Sequence, residues 1–276
     1  MATTVAVAQL VAGQIIRTLE DNLIAKKICN LSAAGEIKKK GDRILFPGLA
    51  DPTVSNYTGT VSYEKLNATG VTLIVDQAKY YAFEVSDIEA LQTGLDLKTS
   101  QATRAGYMLK NTADKYVMSL YSGAGTALTA TDPITPDNVL SMLSKLHLAL
   151  AEKNVSENDM WIVVPHWVKQ MMTLAGVKFS INNGTNGTGT LAFTNELGFD
   201  LFASNQVTMT GTGDNTLYHV MAGSYNSIIY AEQLLENEII RLQSSFSNGA
   251  RGLHVYGAKI VNPTELVTAP LKKGAF

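Results

Sequence analysis

Apolar residues near the start of the chain recur every fourth position. Val11, Ile15, Leu19 and Leu23 share one helical face, with Arg17, Glu20, Asp21 and Lys26 on the others, which predicts an amphipathic helix. Such a stripe either covers its own core or docks as an arm on another chain. After Lys38, Lys39 and Lys40 the period changes to two. Ile44 and Phe46 alternate with polar neighbours, as do Val61 and Tyr63, then Val71, Leu73 and Val75, then Tyr81, Phe83 and Val85. Pro47-Gly48, Asp51-Pro52 and the stretch Leu66 to Gly70 supply turns. This reads as a long hairpin, and a two-stranded hairpin alone is marginal in water, so it must lie on something. The lysine run is read as a solvated charge cluster, with phosphate contact as the alternative.

Ser86-Asp87-Ile88-Glu89 has the form of a capping box. Three-and-four spacing then runs from Ile88 through Leu91, Leu95, Ala102, Leu109, Ala113 and Tyr116 to Leu120 without a proline. About 35 helical residues make a rod on the order of 50 Å. A compact globule of this chain length has a radius of gyration near ~19 Å, so such a rod would cross the whole molecule. The pattern therefore predicts a flat or elongated protomer with one spine. Gly123 and Gly125 end the rod, and Thr135-Pro136-Asp137 opens a helix carrying Val139, Leu140, Leu143, Leu146 and Leu150. Trp161 to Val164 reads as a strand buried on both faces, followed by a helix that starts at Pro165 and bears Trp167, Val168, Met171 and Met172. Residues 182–190 are loop-like in composition. Short strands are predicted at 199–202, 217–221 and 227–231, and alternation returns from Leu253 to Val261, ending at Asn262-Pro263. Helix and strand are mixed without a βαβ repeat, which predicts an α+β fold.

Composition narrows the function. Of 276 residues 46% are hydrophobic, so the chain can bury a core. Lys+Arg number 22 against Asp+Glu 24, without the basic excess of a dedicated nucleic-acid-binding domain. Only 17% of residues are charged, where roughly 25% is usual, so much of the surface is expected to lie against partners. The single cysteine, Cys29, excludes an internal disulfide and a cysteine-rich zinc site. The apolar run from Val5 to Ile16 is too short for a membrane span, and its first basic residue, Arg17, follows rather than precedes it, unlike a signal peptide. A cytoplasmic compartment is expected.

No motif in the sequence specifies a catalytic site. Gly184 to Gly189 lacks the Lys-Ser/Thr of a phosphate-binding P-loop. His147, His166, His219 and His254 are scattered, and His147 reads as a core-edge residue. Met171-Met172 reads as packing. Glu232, Glu236, Glu238 and Asp200 could supply paired carboxylates, which leaves a small α+β hydrolase using Glu232 or Glu236 as one alternative. Gly223 to Ser227 departs from a nucleophile elbow, and Cys29 has no histidine near it in sequence. No cofactor or metal site is predicted.

Two stretches carry a family resemblance: Asp76-Gln77-Ala78-Lys79-Tyr80-Tyr81-Ala82-Phe83-Glu84-Val85-Ser86-Asp87-Ile88, and Gly249-Ala250-Arg251-Gly252-Leu253-His254-Val255-Tyr256-Gly257 continuing to Asn262-Pro263. Together with Trp161-Ile162-Val163-Val164-Pro165 they resemble the major capsid proteins of tailed bacteriophages, with the Hong Kong 97-type fold. The resemblance implies a division into an N-terminal arm (1–35), an extended β-hairpin loop (36–84), a peripheral domain with a long spine helix (85–135), an axial domain (136–235), and a closing strand with C-terminal tail (236–276). It implies a structural protein, not an enzyme, that assembles in many copies as pentamers and hexamers into a virion shell. A separate scaffolding protein, a portal, double-stranded DNA held non-specifically and assembly in the bacterial cytoplasm are implied with it, and no membrane. The expected subunit contacts are Val11, Ile15, Leu19 and Leu23 on the arm, Lys38, Lys39, Lys40, Arg43 and Lys65 on the loop, and Arg251 in the closing strand. Some family members join subunits through a Lys–Asn isopeptide, for which Lys65 and Asn262 match in residue type alone. An encapsulin nanocompartment, which resembles the same fold, is the other alternative.

Overall fold

The computed structural model describes residues 23–32, 39–46, 56, 70–86, 97–129, 132–176, 179–182, 190–193, 198–242 and 247–274. In chain order these form α1 (Ile24–Ile28), β1 (Arg43–Phe46), β2 (Val71–Ile74), β3 (Gln77–Ser86), α2 (Leu97–Met118), β4 (Thr126–Ala127), α3 (Val139–Ala151), β5 (Met160–Val164), α4 (His166–Leu174), β6 (Phe179–Asn182), β7 (Thr190–Phe193) and β8 (Asp200–Ala203). The remaining strands are β9 (Met209–Thr210), β10 (Leu217–Ser224), β11 (Ile228–Arg241), β12 (Ser247–Ile260) and β13 (Leu266–Lys272).

The strands make three sheets. One runs in the order β4-β13-β10-β5-β8-β7-β6, with β9 on the side of β10. A second is long, antiparallel and ordered β11-β12-β3, and the third is the hairpin β1-β2. β5 shows why its sequence is apolar throughout. Met160, Ile162 and Val164 face a core shared with α3 and α4, while Trp161 and Val163 face a second core shared with α1 and the end of α2. Both faces are covered, so alternation vanishes. The Trp161 indole N–H donates to the Ser224 carbonyl at 2.8 Å, which satisfies its one polar atom.

α3 begins and ends on signals present in its sequence. The Asn138 side-chain carbonyl accepts the Thr135 N–H at 2.8 Å, and Val139, Met142, Leu143, Leu146 and Leu150 turn inward. Asn154, with φ 59°, closes the other end: its N–H reaches the Ala151 carbonyl, and the Val155 N–H reaches back to Leu150. His147 sits at the edge of this core, its ring edge-on to Phe199 at 5.5 Å. Met171 and Met172 are core residues.

The spine is present as α2, 22 residues or about 33 Å long, continued by a 3₁₀ turn at Ser119–Gly123. Residues Asp87 to Glu89 of the capping box, the residues before Leu97 expected to be helical and the glycine-rich stretch 183–189 lie outside the described residues. Ala102 and Leu109 of the spine pack on Tyr81 of β3, so the rod lies along the long sheet.

Two features differ from the sequence expectation. β13 was not predicted, yet it lies inside the large sheet between β10 and β4. Pro270 interrupts its pattern. Thr268 and Lys272, two residues either side, turn their carbonyls toward Leu128 and Ile134, so the missing N–H of Pro270 falls on the side away from β10, where no ladder bond is lost. β11 and β12 are single 14-residue strands, so the division expected at 235/236 falls within β11.

Candidate assembly surface

The arm, hairpin, spine and long sheet meet at one junction. α1 has only five residues, too few to persist alone, and is held by its surroundings. Leu23, Ala25 and Ile28 are buried among Ala113, Val117 and Met118 of the spine and Tyr230 and Tyr256 of the long sheet. The chain leaving α1 then joins β11: the Asn30 N–H donates to Ile228 at 2.8 Å, and the Tyr230 N–H donates to Asn30 at 3.1 Å.

This corrects one expected subunit contact. Leu23 is 0% exposed within its own chain and offers nothing to a neighbour. The four-residue stripe describes an apolar face, and at Leu23 that face covers the protomer's own core. Val11, Ile15 and Leu19, and likewise Lys38 and Lys65, lie outside the described residues. Lys39, Lys40 and Arg43 are exposed beside the base of the hairpin. Arg251 is exposed and pairs with Glu238, directly opposite on β11.

Glu232 organises the polar side of the junction. Its carboxylate meets the Lys26 ammonium at 2.6 Å, the His254 Nε2 at 3.1 Å and the Tyr230 hydroxyl at 2.5 Å. Burial alone would raise its pKa, but the hydrogen bond and charge of His254, with Lys26, hold it down at about 2. Burial, with Glu232 close by, pushes the Tyr230 phenol well up. Two of the other carboxylates considered for hydrolysis are occupied as well, and the Glu236 side chain lies outside the described residues. Asp200 accepts the Tyr225 hydroxyl at 2.5 Å, and Glu238 faces Arg251. Asn262 lies with its amide 3.5 Å from Glu265, whose carboxylate also accepts the Ser224 hydroxyl. Among the described residues no group of His, Cys, Asp or Glu could hold a metal, and no helix is long and apolar enough to cross a membrane.

The hairpin base is fixed from two sides. Ile44, Leu73 and Val75 pack on Ile229, Ala231 and Val255 of the long sheet. Asp76, just beyond, accepts the Tyr116 hydroxyl of the spine at 2.9 Å. β2 crosses β12 so closely at Gly257 that a Cβ there would stand 2.6 Å from the Ile74 carbonyl oxygen. The opposite face of the hairpin is bare, with Leu45 67% exposed and Ile74 also exposed. A second bare apolar region flanks β3 and the spine, where Tyr80, 78% exposed, and Met108 line a groove of about 440 Å³. Large exposed apolar side chains grouped in this way mark surfaces for partners. No spacing rule in the sequence could have placed Lys26, Glu232 and His254 together, because three separate elements supply them.

Comparison with known proteins agrees with this architecture. Residues 70–269 match the phage capsid protein family. A solved structure described as Mycobacterium phage Che8 is 28% identical, with a TM-score of 0.69, covering 90% of this chain and 91% of its own. The capsid of Ralstonia phage GP4 shares 12% identity with a TM-score of 0.64, over 90% of this chain and 88% of its own. A virus-like particle from Pyrococcus furiosus shares 10% identity with a TM-score of 0.60, over 93% and 96%. No curated protein matches the sequence.

Proposed function

The chain belongs to the phage capsid protein family, and on that premise we propose how its parts serve a shell. Its α+β fold is the Hong Kong 97-type capsid fold, and it is a structural major capsid protein that assembles in many copies. The family match across residues 70–269 carries this conclusion. The likeness to the Pyrococcus furiosus particle, at 10% identity, concerns the fold alone and gives no preference to a nanocompartment.

In the proposed division of labour, the hairpin of residues 36–84 and the segment before Leu23 reach over neighbouring subunits. The bare faces at Leu45, Ile74 and Tyr80 support this reading, since each is apolar and uncovered in the single protomer. Residues 136–235 form the axial part, which meets its copies in pentamers and hexamers. The protein acts as a structural subunit rather than a catalyst. It is assembled in the bacterial cytoplasm with a separate scaffolding protein and a portal, and it encloses double-stranded DNA without base recognition. The near balance of 22 basic and 24 acidic residues fits such non-specific enclosure.

Truncation tests the arm. A protein lacking residues 1–22 keeps Leu23, Ala25 and Ile28 in its core, so it should retain cooperative melting and a native circular dichroism spectrum. Its shells should be absent or aberrant in electron micrographs. Normal shells from this truncation would show that the segment before Leu23 makes no essential contact.

A further inference from the structure

The junction contains a second carboxylate, Asp114 on the spine, that neither the core nor the pairing of Glu232 explains. It is 0% exposed. Its Oδ1 accepts the Ala25 N–H at 2.9 Å, at the start of α1, where the preceding residue Leu23 supplies no side-chain cap. Its Oδ2 has no hydrogen-bond partner, and the nearest cation, Lys110 one turn earlier on the same helix, stands at 3.7 Å. A carboxylate buried this deeply, with one oxygen left unpartnered, favours its neutral form.

We infer that Asp114 is a proton-controlled clasp, which holds α1 tightly on the spine while its carboxyl is neutral and slackens as the carboxyl ionises. Burial raises its pKa to about 6, an effect only partly offset by the Ala25 N–H, Lys110 and the Ile24 N–H. The other titratable groups of the junction come from each of its elements. Lys110 lies on the spine, Cys29 and Lys26 on the arm, Tyr230 and Glu232 on β11, and His254 and Tyr256 on β12. Burial pushes the Cys29 thiol up, and pushes the Tyr256 phenol to about 12, so both remain neutral near pH 7. Glu232, held at about 2, remains ionised.

The sign follows from linkage. A carboxyl raised from 3.8 to about 6 in the closed junction binds its proton more tightly there than in the open one. The clasp is therefore firmest below the ordinary carboxylate range and loses strength as pH rises through about 6.

Cys29, the chain's one cysteine, reports opening directly, because it ends α1 and is 6% exposed. The experiment measures its reaction with a dithiopyridine in the full-length protein. Each rate is divided by that of the denatured protein at the same pH, to remove thiol chemistry. The normalised rate should rise about tenfold between pH 5 and pH 8, the share of a two-unit displacement that falls in that window. Asp114→Asn should abolish the rise, which separates Asp114 from the nearby His254. Lys110→Met, which removes the cation that favours ionisation, should move the midpoint to higher pH and serves if Asp114→Asn does not fold. A flat wild-type profile, an unchanged rise in Asp114→Asn or an unmoved midpoint in Lys110→Met would each overturn the inference.

Discussion

Replacing Glu232 with alanine is expected to remove about 3–5 kcal/mol of folding stability, the usual effect of taking one partner from a buried ion pair. Lys26 is partly exposed and can turn its ammonium to water, but His254 is fully buried and its Nδ1 has no partner. The alanine variant therefore strands the imidazole and removes the ion pair between α1 and β11 together. Glu232→Gln keeps an acceptor for Tyr230 and His254 and should fall between alanine and wild type. The wild-type contribution also has a pH signature. A carboxyl lowered from 4.5 to about 2 stabilises the fold fully above pH 4.5 and loses that stabilisation as pH falls toward 2. The loss amounts to about 3 kcal/mol in all, of which about 2 has gone by pH 3. Urea unfolding at pH 7 and pH 3 checks both statements. A loss below about 1 kcal/mol at pH 7 would place Glu232 with ordinary surface pairs.

The second large effect is expected at Gly257, and it concerns assembly more than folding. Its Cβ position lies 2.6 Å from the Ile74 carbonyl oxygen and 3.0 Å from the Val75 Cα, both backbone atoms that cannot swing aside. Gly257→Val must lift the hairpin base off β12 and loosen the seat of Ile44, Leu73 and Val75. Overpacking of this kind costs about 1–3 kcal/mol. The subunit should melt at a lower temperature but cooperatively. The hairpin would then leave the protomer in a different direction. A contact weakened by about 1.4 kcal/mol binds tenfold less, and every copy in a shell repeats it. Closed shells should be nearly absent beside folded subunits. Normal shells from Gly257→Val would show that the hairpin's direction is not set at this crossing.

What the sequence made legible depended on whether a pattern reports its own surroundings. β5 was readable because both faces of Met160 to Val164 are covered, and α3 because Thr135-Pro136-Asp137 and the leucines that follow act within one helix. The hairpin base was readable from the alternation of Ile44 with Leu73 and Val75, which share one buried face. β13 was not, because Pro270 is tolerated where its missing N–H faces away from β10 and the β4 ladder has already ended at Thr268, a fact of topology rather than of local sequence. Leu23 shows the same limit from the other side: an apolar stripe specifies burial but not the chain that provides it. The junction was illegible for a related reason. Residues 26, 114, 232 and 254 come from four elements, and Glu232 carried only the generic signal of an acid that could serve a hydrolase.

Electron microscopy of the purified full-length protein, alone and with its co-expressed neighbour proteins, tests the central claim most directly. The account predicts closed icosahedral shells built from many copies of the 29.7 kDa chain. A stable monomer at every concentration and in every co-expression would contradict it.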